Sequence, residues 1–384
     1  MPLSARDHAA EGARPGRRRV LFAPVPITPT KPLTPSHIKG LLWADVISRA
    51  TAVLADVDHL HSHTVAVANA QTLGFWAHLD AHHPGLDFSG LDEEHIGSLY
   101  VEFQRRRDGG AFGDLSAYHE AVARDGWLHP ASSRVLDLWT RRWAELGMRD
   151  PGLTARRPPP ATADEVLDLL ARRGLCIDHR PSGGPVYLDA TRHGLPLRQI
   201  MSAGRHANYL LGLLRELAPL VGSYDSVVLA CDREAVPDYT LLAKVLTDLG
   251  AAVTLVGIGR VRLGGDLKSS RHGGWEGRTA AHLAEEFLPR VGPAIYRLGV
   301  RLYYIAVLGQ GDREPFRPQL LWRCMARAKR LLDRPATGTG ADLPEFLARH
   351  ARPHPHVDPY RLTTALLTRN RPAPGRELLE KVLI

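Results

Sequence analysis

Apolar residues change period along this chain, and the changes mark its elements. Arg19-Val20-Leu21-Phe22-Ala23-Pro24-Val25 is the continuous apolar run expected of a buried strand. It ends in a Pro/Thr-rich loop, residues 26–36. From His37 to Val57 the period becomes helical. Ile38, Leu41, Leu42, Val46, Ile47, Val53 and Leu54 share one face, which predicts Lys39, Asp45 and Arg49 outward and Ser36 as N-cap.

Residues 59–147 mix helical patterns with several tryptophans, and the breaker stretch Pro151 to Thr162 reads as a connector. A helix, a Gly-rich hairpin around Ser182-Gly183-Gly184 and a second helix ending near Val221 are expected over 163–222. The clearest unit follows. Strand 225–231, helix 239–249 and strand 252–256 form a βαβ unit of a parallel sheet. Residues 335–384 are broken by prolines and only partly periodic, which predicts a small helical C-terminal region. Residues 1–18 are small, polar and basic, and read as a disordered leader.

Composition narrows the class. The chain is 44% hydrophobic and 23% charged, as ordinary globular proteins are. No run of about 18 apolar residues is present, so no membrane span is expected, and the basic N-terminus lacks the apolar stretch of a signal peptide. Cys176, Cys231 and Cys324 are far apart and form no CxxC pair, which argues against a disulfide framework or cysteine zinc site and suits a cytoplasmic location. The net charge of +8 and pI of about 9.6 fit an anionic partner without identifying it.

The chemistry sits at the first helix. A helix start presents free N–H groups and the positive end of its dipole to an anion. His37 stands there, with Lys31 and Lys39 nearby. Taken alone, the same residues also describe a capped surface helix. A GxxxxGK[ST] phosphate loop is absent, and Gly257-Ile258-Gly259 lacks the third glycine of a dinucleotide fingerprint.

Pro29-Thr30-Lys31-Pro32-Leu33 followed by His37-Ile38-Lys39-Gly40 resembles the arginyl-tRNA synthetase stretch in which an N/T-K-P-L element leads into the "HIGH" signature. Thr34-Pro35-Ser36 is extra, and Lys39-Gly40 replaces Gly-His. Gly264 to Gly274, with Lys268-Ser269-Ser270-Arg271, looks like the mobile "KMSKS" loop in its arginyl form. Gly174-Leu175-Cys176-Ile177 with Gly184 to Asp189, then Tyr209-Leu210-Leu211, then a strand ending in Asp232, resemble further family elements in order. The resemblance spans about 19–280, roughly two-thirds of the chain.

It implies a class I synthetase catalytic domain over 19–280: a doubly wound α/β parallel sheet of the Rossmann-like type, with an insertion at about 60–200 and a helical region over 281–384. It implies ATP with magnesium, an amino-acid substrate, and activation of the carboxylate as an adenylate. The acyl group would then pass to tRNA or to a small amine or peptide. His37 and Lys268 are the implied catalytic residues. Lys31, Lys39, Gly40, Asp232, Ser269, Ser270 and Arg271 are implied at the nucleotide, and Asp58, His61 and Tyr209 at the substrate pocket. Relative to full arginyl synthetases the tRNA-selecting parts look truncated at both ends. A catalytically silent nucleotide- or RNA-binding relative is the alternative.

Two features stand beside this reading. His59, His61 and His63 would share a face on a strand and suit a divalent metal, but pocket or plain surface is the preferred reading and no metal is expected. Arg323, Arg327, Lys329, Arg330 and Arg334 make a basic helical face, ordinarily a solvated one.

Overall fold

The computed structural model describes residues 16–106, 113–155, 158–263, 273–334, 343–368 and 375–384. The expected leader lies outside the described residues as far as position 15. Seven strands are present among the described residues: β1 (Arg19–Pro24), β2 (Asp56–His59), β3 (Cys176–Asp178), β4 (Val186–Leu188), β5 (Arg198–Met201), β6 (Ser226–Asp232) and β7 (Val253–Ile258). Four of them form a parallel sheet in the order β2-β1-β6-β7, with Phe22 opposite Val228 and Leu229 opposite Leu255.

Alternation along these strands divides the core in two. Val20, Phe22, Val228 and Ala230 face one apolar cluster; Leu21, Ala23, Val227, Leu229 and Cys231 face the other. Both faces are covered, which is why the strands read as continuous apolar runs.

The first face packs against α1 (Pro35–Leu54), α2 (His63–Val67), α3 (Ala70–His82), α4 (Glu93–Arg106), α5 (Ser116–Asp125) and α6 (Pro130–Leu146). The second packs against α7 (Ala163–Arg172), α8 (Tyr209–Leu217) and α9 (Val236–Asp248), together with the small antiparallel sheet β3-β4-β5. The hairpin expected around Ser182-Gly183-Gly184 joins β3 to β4. The chain between β2 and β6, residues 60–225, therefore carries α2 to α8 and the small sheet.

The C-terminal part holds α10 (Ala280–Val291), α11 (Pro293–Arg301, continued by the wider turns Leu302–Val307), α12 (Pro318–Leu332), α13 (Leu343–Ala351) and α14 (Pro359–Leu367). A last helical segment, Arg376–Leu378, runs on through Leu379–Leu383. Val357, Leu362, Leu378 and Val382 join the same apolar cluster as α1.

That packing corrects the sequence expectation for α1. Lys39 is 1% exposed and Asp45 7%, not outward, because the C-terminal helices cover the side of α1 predicted to meet solvent. Arg49 donates to the Glu380, Lys381 and Gly147 carbonyls, and Thr51 Oγ1 accepts from Val357 N at 3.1 Å. The helix also starts earlier than expected, with Thr34, not Ser36, as N-cap and Pro35 at its first position. It stops at Leu54 because Asp56 to His59 are drawn into the sheet beside β1.

Candidate functional site

The strand order reverses at β1. The chain passes to β2 on one side and returns to β6 on the other, so a crevice opens beyond the carboxyl ends of β1 and β6. A cavity of about 820 Å³ occupies it, within the range of small-molecule sites. Its wall at the strands' carboxyl ends is formed by Pro24 and Val25 after β1, His37 and Gly40 of α1, Asp232 of β6 and Arg260 beyond β7. Its other lining includes Gln71, Leu136, Trp139, Trp143 and Met148.

His37 is the third residue of α1. Its Nδ1 accepts the Thr34 backbone N–H at 3.3 Å, closing the helix start on itself. Burial, with the charges of Lys31 and Arg260, pushes the imidazole down to about 3, against a weaker pull from the Pro32 carbonyl. The ring is therefore neutral at pH 7. With Nδ1 accepting, Nε2 carries the proton and is the ring's donor.

Lys31 is fixed by α4. A Cβ on Gly97 would stand 2.5 Å from Pro32 Cδ, so only glycine lets the helix approach the loop this closely. One turn further, Tyr100 places its ring 4.8 Å from Lys31 Nζ. Gln71 of α3 and Gln104 both bond the Tyr100 hydroxyl. The ammonium thus lines the cavity on an aromatic support although it is 4% exposed.

Asp232 ends β6. Burial raises its carboxyl above the ordinary range, although Arg260 and Lys31 pull it back. Arg260 also pairs with Glu234 at 3.2 Å. Two cations and one carboxylate therefore share this end of the cavity with a neutral donor and a helix N-terminus, a set suited to phosphate oxygens.

Elsewhere in the lining, Asp45 is held by Arg301 and Arg49, at 2.5 and 3.7 Å. His59, driven down to about 4 mainly by burial, His61 and His63 also line the cavity. They do not share a strand face, because β2 ends at His59. His63 Nε2 lies 2.6 Å from the Gly152 carbonyl, and the His61 and His63 rings meet edge to face.

Of the expected site residues, His37, Lys31, Gly40, Asp232 and His61 line one cavity. Lys39 does not. Its Nζ is turned away and donates to the Gly311 carbonyl at 2.5 Å, and burial lowers it to about 8. Tyr209 is outside the cavity as well, at the start of α8 with its hydroxyl on Asp238. Asp58 reaches the cavity only at the exposed edge strand, where its carboxylate takes the Tyr224 hydroxyl at 2.7 Å and pairs with Arg19. Lys268, Ser269, Ser270 and Arg271 lie outside the described residues. Sequence reasoning missed Arg260, Tyr100 and the two tryptophans. A basic residue directly after Gly257-Ile258-Gly259 was the one available signal, since that turn leaves the sheet on its carboxyl side.

No protein-family model matches this sequence, and no curated protein matches it either. Solved structures do. The arginyl-tRNA synthetase of Thermus thermophilus superposes with a TM-score of 0.64 at 16% identity, over 96% of this chain and 80% of that one. Arginyl-tRNA synthetase from Plasmodium falciparum gives 0.54 at 12% identity, over 82% of this chain and 56% of that one. The chain has the fold of an arginyl-tRNA synthetase-like domain. The likeness reaches past the stretch carrying the sequence motifs and takes in the C-terminal helices. No helix among the described residues is long and apolar enough to cross a membrane.

Proposed function

We propose that this protein activates an amino acid with ATP. The carboxylate attacks the α-phosphorus, pyrophosphate leaves, and the aminoacyl-adenylate passes its acyl group to tRNA or to a small amine or peptide. The observation that carries the reading is the gathering of His37, Lys31, Asp232 and Arg260 in the lining of one cavity at the switch point of the sheet. Such a reaction needs no protein nucleophile, only positioning and stabilisation of developing charge. Nε2–H of His37 and the α1 N-terminus are donors for phosphate oxygens, and Lys31 neutralises them. The end beside these groups suits ATP, leaving the walls near Trp139 and Trp143 for the amino acid. Magnesium, which neutralises phosphate charge, would be held chiefly by the nucleotide, with Asp232 the carboxylate at that end. Lys268 is assigned to the leaving pyrophosphate, with Ser269, Ser270 and Arg271 beside it. Three unpaired cysteines suit the cytoplasm.

A second reading, a nucleotide- or RNA-binding regulator without turnover, is favoured by Lys39. With Gly40 it replaces the Gly-His of the resembled signature, and its ammonium is committed to Gly311. ATP–pyrophosphate exchange over a panel of amino acids, arginine first, decides between the two. Exchange with one amino acid supports the enzyme; ATP binding without exchange supports the regulator. Lys268→Ala is expected to slow exchange about a hundred- to a thousandfold while barely changing ATP affinity. Unchanged turnover would remove that assignment.

A further inference from the structure

Three histidines that the cavity does not use are gathered at the end of α3. His78 and His82 lie in its last turns, His83 is its C-cap, and α4 brings Glu102 against them. One ring nitrogen from each of His78 and His83 and one carboxylate oxygen of Glu102 lie within 4.8 Å of one another. His83 Nε2 stands 3.8 Å from Glu102 Oε2, while Oε1 takes Arg106 at 3.0 Å. His78 is only 8% exposed. The Nε2 atoms of His78 and His83 are both buried without a hydrogen-bond partner.

An orphaned buried polar atom costs roughly 1–3 kcal/mol, and here both rings that carry one sit beside the same carboxylate. The backbone brings them together. Residues five apart diverge on a continuous helix, but α3 stops at His82, and His83 at φ −131°, ψ 48° brings its ring to 6.0 Å from that of His78. His82 stacks on His78 at 4.3 Å and places Nδ1 3.0 Å from the His78 carbonyl. Phe103 closes the apolar side at 5.5 Å.

We propose that His78, His83 and Glu102 bind one zinc ion that clamps α3 to α4, with water completing the tetrahedron. Two imidazoles and one carboxylate suit zinc, whose bonds of about 2.0–2.1 Å put ligand atoms roughly 3.3 Å apart. Separations of up to 4.8 Å have to close by up to about 1.5 Å through side-chain rotation, and Arg106 stays on the other carboxylate oxygen as an outer partner. The clamp bears on the cavity, because α3 also carries Gln71 and α4 carries Tyr100, the support of Lys31.

The test uses the full-length chain without a histidine tag, stripped with a chelator and titrated with zinc alone. One zinc per chain is expected. His83→Asn and Glu102→Gln are expected to weaken it at least about tenfold, and His61→Asn to leave it unchanged. Cobalt in place of zinc should give the visible bands of a tetrahedral site in the wild type and lose them in His83→Asn. In the wild type, where folding is not in question, zinc should shield His83 from diethyl pyrocarbonate and leave exposed His95 reactive. Absence of stoichiometric zinc, zinc retained by His83→Asn, zinc lost on His61→Asn, or unshielded His83 would each overturn the proposal.

Discussion

Arg301 is fully buried, and its Nη2 donates to Asp45 Oδ2 at 2.5 Å, tying α11 to the middle of α1. The same guanidinium reaches the carbonyls of Leu146, Gly147 and Arg297. Removing Arg301 leaves Asp45 buried with only Arg49 at 3.7 Å, so the cost stays below the about 3–5 kcal/mol of a fully orphaned buried charge. Arg301→Met should therefore lower the urea midpoint. Asp45→Leu added to it should recover part of the loss, because an apolar pair of similar volume avoids desolvating two charges. A single Arg301→Met with unchanged stability would show that the pair is not the tie described.

The buried histidines give stability a direction with pH. His37 is pushed down to about 3 and His59 and His356 to about 4, in each case chiefly by burial. Below about 6.5 the unfolded chain binds protons that the folded chain refuses, so stability falls as pH drops from about 6.5 towards 4. Each group contributes up to about 1.4 kcal/mol per pH unit across that window. His356→Gln should flatten the fall measured by urea unfolding at pH 6.5, 5.5 and 4.5. Above about pH 7.5, where the unfolded chain's histidines are also neutral, these three contribute almost no slope. His37→Asn should slow pyrophosphate exchange about a hundred- to a thousandfold without moving the alkaline limb of its pH profile.

The sheet was legible because its strands carry their own signal. Val20 to Ala23 and Val227 to Cys231 are apolar on both faces, which a strand covered on each side requires. The ordered motifs around His37 and Asp232 likewise led to two walls of one cavity. What was not legible depends on contacts made far away in sequence. Lys39 and Asp45 look solvent-facing on a helical wheel because the helices that cover them begin more than 200 residues later. Tyr209 and Asp58 were assigned by resemblance, and their hydroxyl and carboxylate are taken by Asp238 and Tyr224. No local pattern announces those partners.

Lys31 and Lys39 separate binding from structure. Lys31 lines the cavity over Tyr100, whereas Lys39 bonds the Gly311 carbonyl. Lys31→Met should weaken ATP about ten- to a hundredfold, as loss of a hydrogen bond from a charged group does, roughly 1.5–3 kcal/mol. Lys39→Met should leave ATP affinity within about twofold but lower stability by about 0.5–1.5 kcal/mol, the net worth of a hydrogen bond to a half-buried carbonyl. Equilibrium ATP binding and urea unfolding of both variants check this. The reverse pattern would return Lys39 to the phosphates.

Gly259 fixes where Arg260 enters the site. Its N–H donates to the Gln310 carbonyl at 2.7 Å, and a Cβ there would stand 2.5 Å from Gly311 C and 2.7 Å from Asp312 N. Both obstacles are backbone, so no side-chain rotation relieves them. The segment 310–312 has to shift, and with it the carbonyl that holds Lys39. Gly259→Ala should therefore destabilise the fold by about 1–3 kcal/mol, as overpacking does. It should also slow exchange by more than that loss explains when assayed where the variant is fully folded, since Arg260 moves with the turn. Gly222→Ala is the control, because a Cβ there meets nothing within 4 Å; it should stay within about 0.5 kcal/mol. Full exchange activity in Gly259→Ala would show that the position of Arg260 does not matter to the reaction, and would leave His37 and Lys31 as the cavity's working groups.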